Sequence, residues 1–195
     1  MVIGSLGLQG AYVMHQQALK ACGVSAPIVK TPEDILACDA LIMPGGESTT
    51  MGLLMQRFNI GEAILHFANQ GKPIFGTCAG MILLAREIIG SNQYRLGLMD
   101  IAVHRNAFGR QLDSFTTPLT IPALGTPDFP AVFIRAPVIE KTLSSHVEIL
   151  CSFENKPIFV KQGQFLAAAF HPELSHDLRI HHYFINMVNA RGKIS

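Results

Sequence analysis

Three features of the 195-residue chain predict an α/β fold: a mostly parallel central sheet flanked by helices, with antiparallel strands added in the second half. Short β-rich runs alternate with stretches of helical spacing over residues 1–90, the rhythm of parallel strands joined by crossover helices. Three of those runs stop at glycine-bearing loops, "LQGA", "PGGES" and "GTCAG". From residue 99 to 170 the pattern shifts to strand-like runs separated by turn residues, as in hairpins. No repeat, low-complexity tract or linker interrupts the chain, so residues 1–195 are expected to form a single domain.

In order, "MVIGSLGL" reads as the first strand, and "AYVMHQQALKACG" as a helix closed by Gly23. "APIVK" is strand-like. "TPEDILAC" starts a helix with Thr31 as N-cap and Pro32 at the first helical position. "DALIMPGG" is an apolar run ending on a glycine pair. "STTMGLLMQRFNIGEAILHFANQG" is mostly helical up to Gly71, "KPIFGTC" is a short buried strand, and "AGMILLAREIIG" is expected as a helix. The later runs "MDIAV", "PLTIPA", "AVFIRAP", "HVEILCSF", "KPIFVKQ" and "QFLAAAF" read as strands, with "ENKP" a tight turn. "SHDLRIHHYFINMVNARG" is a terminal helix.

Composition narrows the function classes. Hydrophobic residues make up 49% and charged residues 15%, which excludes a disordered chain. A net charge of +1 offers no electrostatic footprint for nucleic acid or an anionic membrane. No apolar run reaches the roughly 18 residues of a membrane span. "MVIGSLGLQG" has no basic n-region or cleavage site, so a cytoplasmic location is expected. Cys22, Cys38, Cys78 and Cys151 lie far apart without a C-x-x-C pair and read as free thiols.

The loops at the carboxyl ends of parallel strands are where such folds bind ligands. "GTCAG" between a strand and a helix is the cysteine form of the nucleophile elbow: a sharp turn exposes the side chain, and glycines two residues either side avoid collisions. Cys78 would sit at the N-terminus of a helix from Ala79 to Ile88, whose free N–H groups favour the thiolate, with the Ala79 N–H aimed at a developing oxyanion. The plain alternative is a small cysteine in a tight turn. A cysteine nucleophile needs a base. "FHPEL" offers His171 just past an apolar strand, with Glu173 to orient it; a surface histidine in a polar turn is the ordinary alternative. In "MPGGEST", successive glycine N–H groups can cradle negative charge, and Glu47 and Ser48 add polar groups at the same rim. No lysine follows those glycines, so this is not a P-loop. "GSLGLQG" does not have the dinucleotide-binding spacing. Arg105 and Arg135 are candidates for gripping a substrate carboxylate, or are ordinary surface charges. His176, His181 and His182 lack metal-ligand spacing and read as solvated or capping residues, so no metal is expected.

Taken together, "GLQGA", "PGGESTTMG", "GTCAGMILLA", "RNAFGRQ", "VFIRAPVI" and "FHPELSHDLRIHHYF" resemble the triad-type class I glutamine amidotransferases. Within them, the whole chain resembles the glutaminase subunits of pyridoxal 5′-phosphate synthases. It departs from that pattern at Thr116, where an acidic residue is expected after Ser114-Phe115. The resemblance implies a glutaminase with Cys78 as nucleophile, His171 as general acid/base and Glu173 as its orienter. It implies an oxyanion hole from Gly46 and Ala79, completed by Gly10, and glutamine held by Gly46, Glu47, Ser48, Arg105, Ile134 and Arg135. It further implies no cofactor, and a (β/α)₈ synthase partner that receives ammonia. Docking would switch on activity through the Gln9–Gly10 loop, whose peptide can reorient because glycine accepts either backbone sign. Two other readings remain open on the residues: a catalytically silent docking subunit, and another cysteine hydrolase or redox-sensing elbow protein.

Overall fold

The structure is a computed structural model that describes residues 1–105 and 114–191. Its centre is a seven-stranded sheet in the order β10-β11-β12-β4-β3-β1-β2. The strands are β1 (Ile3–Leu6), β2 (Ile28–Val29), β3 (Ala40–Met43), β4 (Ile74–Thr77), β10 (Glu148–Phe153), β11 (Lys156–Gln162) and β12 (Phe165–Ala168). The five from β12 to β2 run parallel, and β10 and β11 continue the sheet antiparallel. This is the predicted fold class. Every residue of β1, β3, β4 and β12 is buried. Successive side chains of a strand point to opposite faces, so both faces of the sheet are covered, as parallel sheets require.

Crossovers between the parallel strands are helical. Helix α1 (Tyr12–Ala21) links β1 to β2, α2 (Pro32–Leu36) links β2 to β3, and α3 (Ser48–Arg57) and α4 (Ile60–Asn69) link β3 to β4. Thr31 and Asp34 form a capping box at the start of α2, satisfying two backbone donors reciprocally. Gly23, at φ 78, ends α1 as predicted. Two smaller sheets flank the carboxyl side: β5 (Ala85–Ile88), β6 (Met99–His104) and β9 (Val138–Thr142) in one, and the hairpin of β7 (Ser114–Leu119) with β8 (Phe129–Ile134) in the other. Glu154 and Asn155, both at positive φ, make the predicted tight turn between β10 and β11. All four cysteines are free. Among the described residues no helix is long and apolar enough to cross a membrane.

Several local expectations are corrected. The helix expected over 79–90 is α5 (Ala79–Leu84) only; the chain then extends into β5, which pairs in parallel with β6. All six residues of α5 are buried, so packing rather than an amphipathic face sets its length. The long helix over 48–71 breaks at Asn59, in the left-handed region at φ 56, into α3 and α4. "PLTIPA" is strand only to Leu119 and then forms a 3₁₀ turn at Pro122–Leu124. The terminal helix starts later than expected, as α6 (Arg179–Arg191). Thr116 pairs with Val132 in the β7–β8 hairpin.

Candidate active site

Cys78 directly follows β4 with φ 48 and ψ −104, a conformation non-glycine residues rarely adopt. The flanking glycines explain how the turn closes. A Cβ on Gly76 would meet the backbone of Gly80, and one on Gly80 would run into the carbonyl of Met43 in β3. The start of α5 therefore presses on the sheet, and Cys78 is turned outward while its own N–H still donates to the Ala168 carbonyl at 2.8 Å. That bond ties the elbow to β12, whose Ala168 is the register partner of Thr77.

The chain leaving β12 supplies His171. Its N–H donates to the Val132 carbonyl in β8 at 2.8 Å, and Pro172–Leu174 wind into one 3₁₀ turn. The turn folds Glu173 back so that its Oε1 lies 2.8 Å from His171 Nδ1, although the two residues are only two apart. His171 and Cys78 border the same cavity, and both crowd the position a Cβ on Gly45 would take. The structure thus brings Cys78 together with the His171–Glu173 pair. Burial works against a charged imidazole, but the Cys78 thiol and the Glu173 carboxylate beside it outweigh that and lift His171 to about 10. Burial likewise opposes ionisation of Glu173, yet the facing imidazoles of His15 and His171 hold its carboxyl well below the usual carboxylate range.

A cavity of about 270 Å³ opens over this group, bordered by Cys78, His171, Gly46, Glu47, Ser48 and Arg105, together with Gln9, Ile82, Ile134 and Arg135. Ala79, Gly10 and Glu173 are not in its wall. Ala79 is the first residue of α5, so its N–H is one of the donors a helix start leaves without an intrahelical acceptor. Gly10, at φ 92, packs so closely on Gly45 and Gly46 that a Cβ would overlap the Gly45 carbonyl oxygen. Gln9 Oε1 accepts from the Glu47 N–H at 2.6 Å, which binds the "GLQGA" loop to the "PGGES" loop.

The polar rim is already cross-linked. Glu47 caps α3, accepting from the N–H groups of Thr49 at 3.0 Å and Thr50 at 2.7 Å. Burial opposes its charge, but the hydrogen bonds from Thr50 and Thr49 together outweigh it and bring it down to about 2. Arg105 donates to Gln93 Oε1 at 2.6 Å and to Glu47 Oε1 at 3.3 Å. Gln93 Nε2 in turn donates to Ser48 Oγ at 2.9 Å. Arg135 is exposed, at φ 41, just beyond the end of β8. The remainder of "RNAFGRQ" after Arg105 lies outside the described residues.

Sequence reasoning missed Ile82, Gln93, His15 and Thr77. Gln93 sits in an irregular segment that carries no periodic signal. His15 had one: with Ala18 and Leu19 it forms the buried stripe of α1, an i, i+3, i+4 pattern in which a histidine is out of place. His181 was misread as a solvated or capping residue; its side chain is fully buried against His15, whereas His176 and His182 are exposed.

A profile of the SNO glutamine amidotransferase family matches residues 5–190. The chain is 56% identical over 193 residues to a pyridoxal 5′-phosphate synthase subunit PdxT from Pelotomaculum thermopropionicum, covering 99% of this chain and 98% of the relative. It is 53% identical over 188 residues to the subunit of the same name from Desulforamulus reducens, covering 96% and 100%. A crystal structure described as a glutamine amidotransferase superposes with a TM-score of 0.92 at 44% identity, covering 97% of this chain and 100% of that one.

Proposed function

The chain belongs to the SNO glutamine amidotransferase family, and from that premise we propose that it is the glutaminase subunit of a pyridoxal 5′-phosphate synthase. It hydrolyses the side-chain amide of L-glutamine and passes the ammonia to a synthase subunit, as a single glutaminase domain over residues 1–195. The observation that carries this reading is the meeting of Cys78 and the Glu173-held His171 at one cavity rimmed by Gly46, Glu47, Ser48 and Arg105.

In this mechanism His171 already carries the proton of the Cys78 thiol, and the thiolate attacks the amide carbon. The tetrahedral oxyanion faces the N–H groups of Ala79 and Gly46, with Gly10 completing the hole. Collapse breaks the C–N bond, and the imidazolium of His171 protonates the departing nitrogen, leaving a glutamyl thioester and ammonia. His171, again neutral, takes a proton from water as its oxygen attacks the thioester. Expulsion of the thiolate releases glutamate. Glu173 holds the imidazole and stabilises its charged form throughout. Arg105, Ile134 and Arg135 border the space for the glutamine backbone.

Ammonia is useful only if it reaches an acceptor before it escapes to solvent, which is why a partner follows from the chemistry. The relatives' designation as a subunit of pyridoxal 5′-phosphate synthase supports a synthase subunit as that partner, and we take it to be a (β/α)₈ barrel. Docking is proposed to order Gln9–Gly10 and complete the oxyanion hole. A cytoplasmic location goes with this reading, because four free thiols suit a reducing compartment.

The test is glutamate release from glutamine, with and without the synthase, for wild type and Cys78→Ala. Release that depends on the partner and vanishes with the substitution is expected. A stable complex that releases no glutamate would instead mean a silent docking subunit.

A further inference from the structure

The proposed chemistry leaves a buried polar cluster behind Glu173 unused. His15 on α1, Thr77 at the end of β4 and His181 on α6 all have no solvent exposure. His15 Nε2 lies 3.1 Å from Thr77 Oγ1 and 3.2 Å from Glu173 Oε2. Its Nδ1 lies 3.1 Å from His181 Nε2. Glu173 Oε2 has no hydrogen-bond partner of good geometry among the described residues, and the His15 contact is an ion-pair approach at 3.2 Å.

Proton accounting assigns the tautomers. A buried carboxylate oxygen accepts only, so His15 must present an N–H at Nε2. Its Nδ1 then accepts from His181 Nε2–H, which leaves His181 Nδ1 as a bare acceptor. That nitrogen is one of the buried atoms without a partner. A bare ring nitrogen is a smaller penalty than a stranded N–H, so the contacts are consistent in this sense. Burial above all pushes His181 down to about 3, which agrees with a neutral ring there.

Resting on the glutaminase reading, we propose that His15 is a positioning residue for the reaction. It clamps Glu173, on the loop after β12, to Thr77, on β4 next to Cys78, and so fixes the imidazole of His171 relative to the thiol. The two halves of the triad sit on neighbouring strands but leave them in different loops. Glu173 has one oxygen on His171; without a donor on the other, the carboxylate can rotate away. His15 removes that freedom, and Thr77 gives it an anchor one residue before Cys78.

The experiment follows Cys78 alkylation by iodoacetamide against pH in the free protein, with the modified residue identified by peptide mass, alongside glutaminase kinetics with the synthase. The facing titratable groups are Cys78, His171, Glu173 and His181, with His182 beyond. In His15→Leu the imidazolium of His171 is held less well, so the thiolate forms at higher pH: the alkylation midpoint rises by about one unit. kcat falls roughly 10- to 100-fold, the effect of one hydrogen bond to a charged group, with KM for glutamine nearly unchanged. His15→Gln, which returns an amide N–H to the Nε2 position, restores most of both. A wild-type midpoint and wild-type kcat in His15→Leu, with only a lower Tm, would make His15 a packing residue and overturn the proposal. Should His15→Leu not fold, His15→Gln and His15→Asn decide. Asn places its amide by His181 rather than Glu173, and equal midpoints in the two variants overturn the clamp. A wild type with the expected alkylation profile but no glutamate release would sink the glutaminase reading and leave the clamp standing.

Discussion

Gly45 lies against His171 so closely that a Cβ on it would collide with the imidazole ring and come within 3.3 Å of Cys78 Cβ. The glycine is therefore part of how the thiol and imidazole meet, and not only a turn former. His171 cannot retreat, because its Nδ1 is held by buried Glu173. Gly45→Ala is expected to displace the imidazole and lower kcat by about 100-fold, the effect of a misplacement near 1 Å. The overpacking should cost about 1–3 kcal/mol of stability. Steady-state kinetics with the synthase and a urea titration would check both; wild-type kcat would show that the ring has room.

The raised pKa of His171 makes stability depend on pH. A group raised on folding contributes stability that is complete below its unfolded value and lost as pH rises through its folded value. For His171 that window runs from 6.5 to about 10. Urea midpoints of wild type should therefore fall relative to His171→Gln across this range. Parallel profiles for the two proteins would mean that His171 is not held as an imidazolium.

Gln93 bridges Ser48 Oγ and Arg105, the two sides of the cavity rim. It does not line the cavity, so it acts on Arg105 rather than on substrate. Gln93→Ala should raise KM for glutamine about tenfold with kcat little changed, the sign of lost uniform binding. An equal fall in kcat at constant KM would assign Gln93 to the transition state instead.

Gly10 is constrained twice, by φ 92 and by the Gly45 carbonyl. An alanine there needs both a strained backbone and a displaced loop, at a cost of roughly 1–3 kcal/mol for the backbone alone. Gly10→Ala is expected to abolish synthase-dependent glutamate release while Cys78 still reacts with iodoacetamide in the free protein. Full partner-dependent activation in this variant would remove the Gln9–Gly10 loop from the switch.

What the sequence by itself determined is local. Apolar runs alternating with helical spacing pointed to the parallel sheet, because burial on both faces leaves strands few polar positions. Spaced glycines marked the elbow at Cys78 and the turn at Gly45-Gly46, because these are backbone positions a side chain cannot share. His171 and Glu173 could be paired on paper because they are two residues apart. Tertiary structure decided whatever depends on neighbours distant in sequence. It cut the helix after Cys78 to Ala79–Leu84, because pairing with β6 claimed Ala85–Ile88 for a second sheet. It buried His181, taken from sequence as solvated, by packing α6 where His15 offers a ring nitrogen at 3.1 Å. It also set Gln93 between Ser48 and Arg105, a placement no periodicity encodes. Spacing along the chain reports backbone constraints; the partners of a buried polar group come from different elements, and only their packing brings them together.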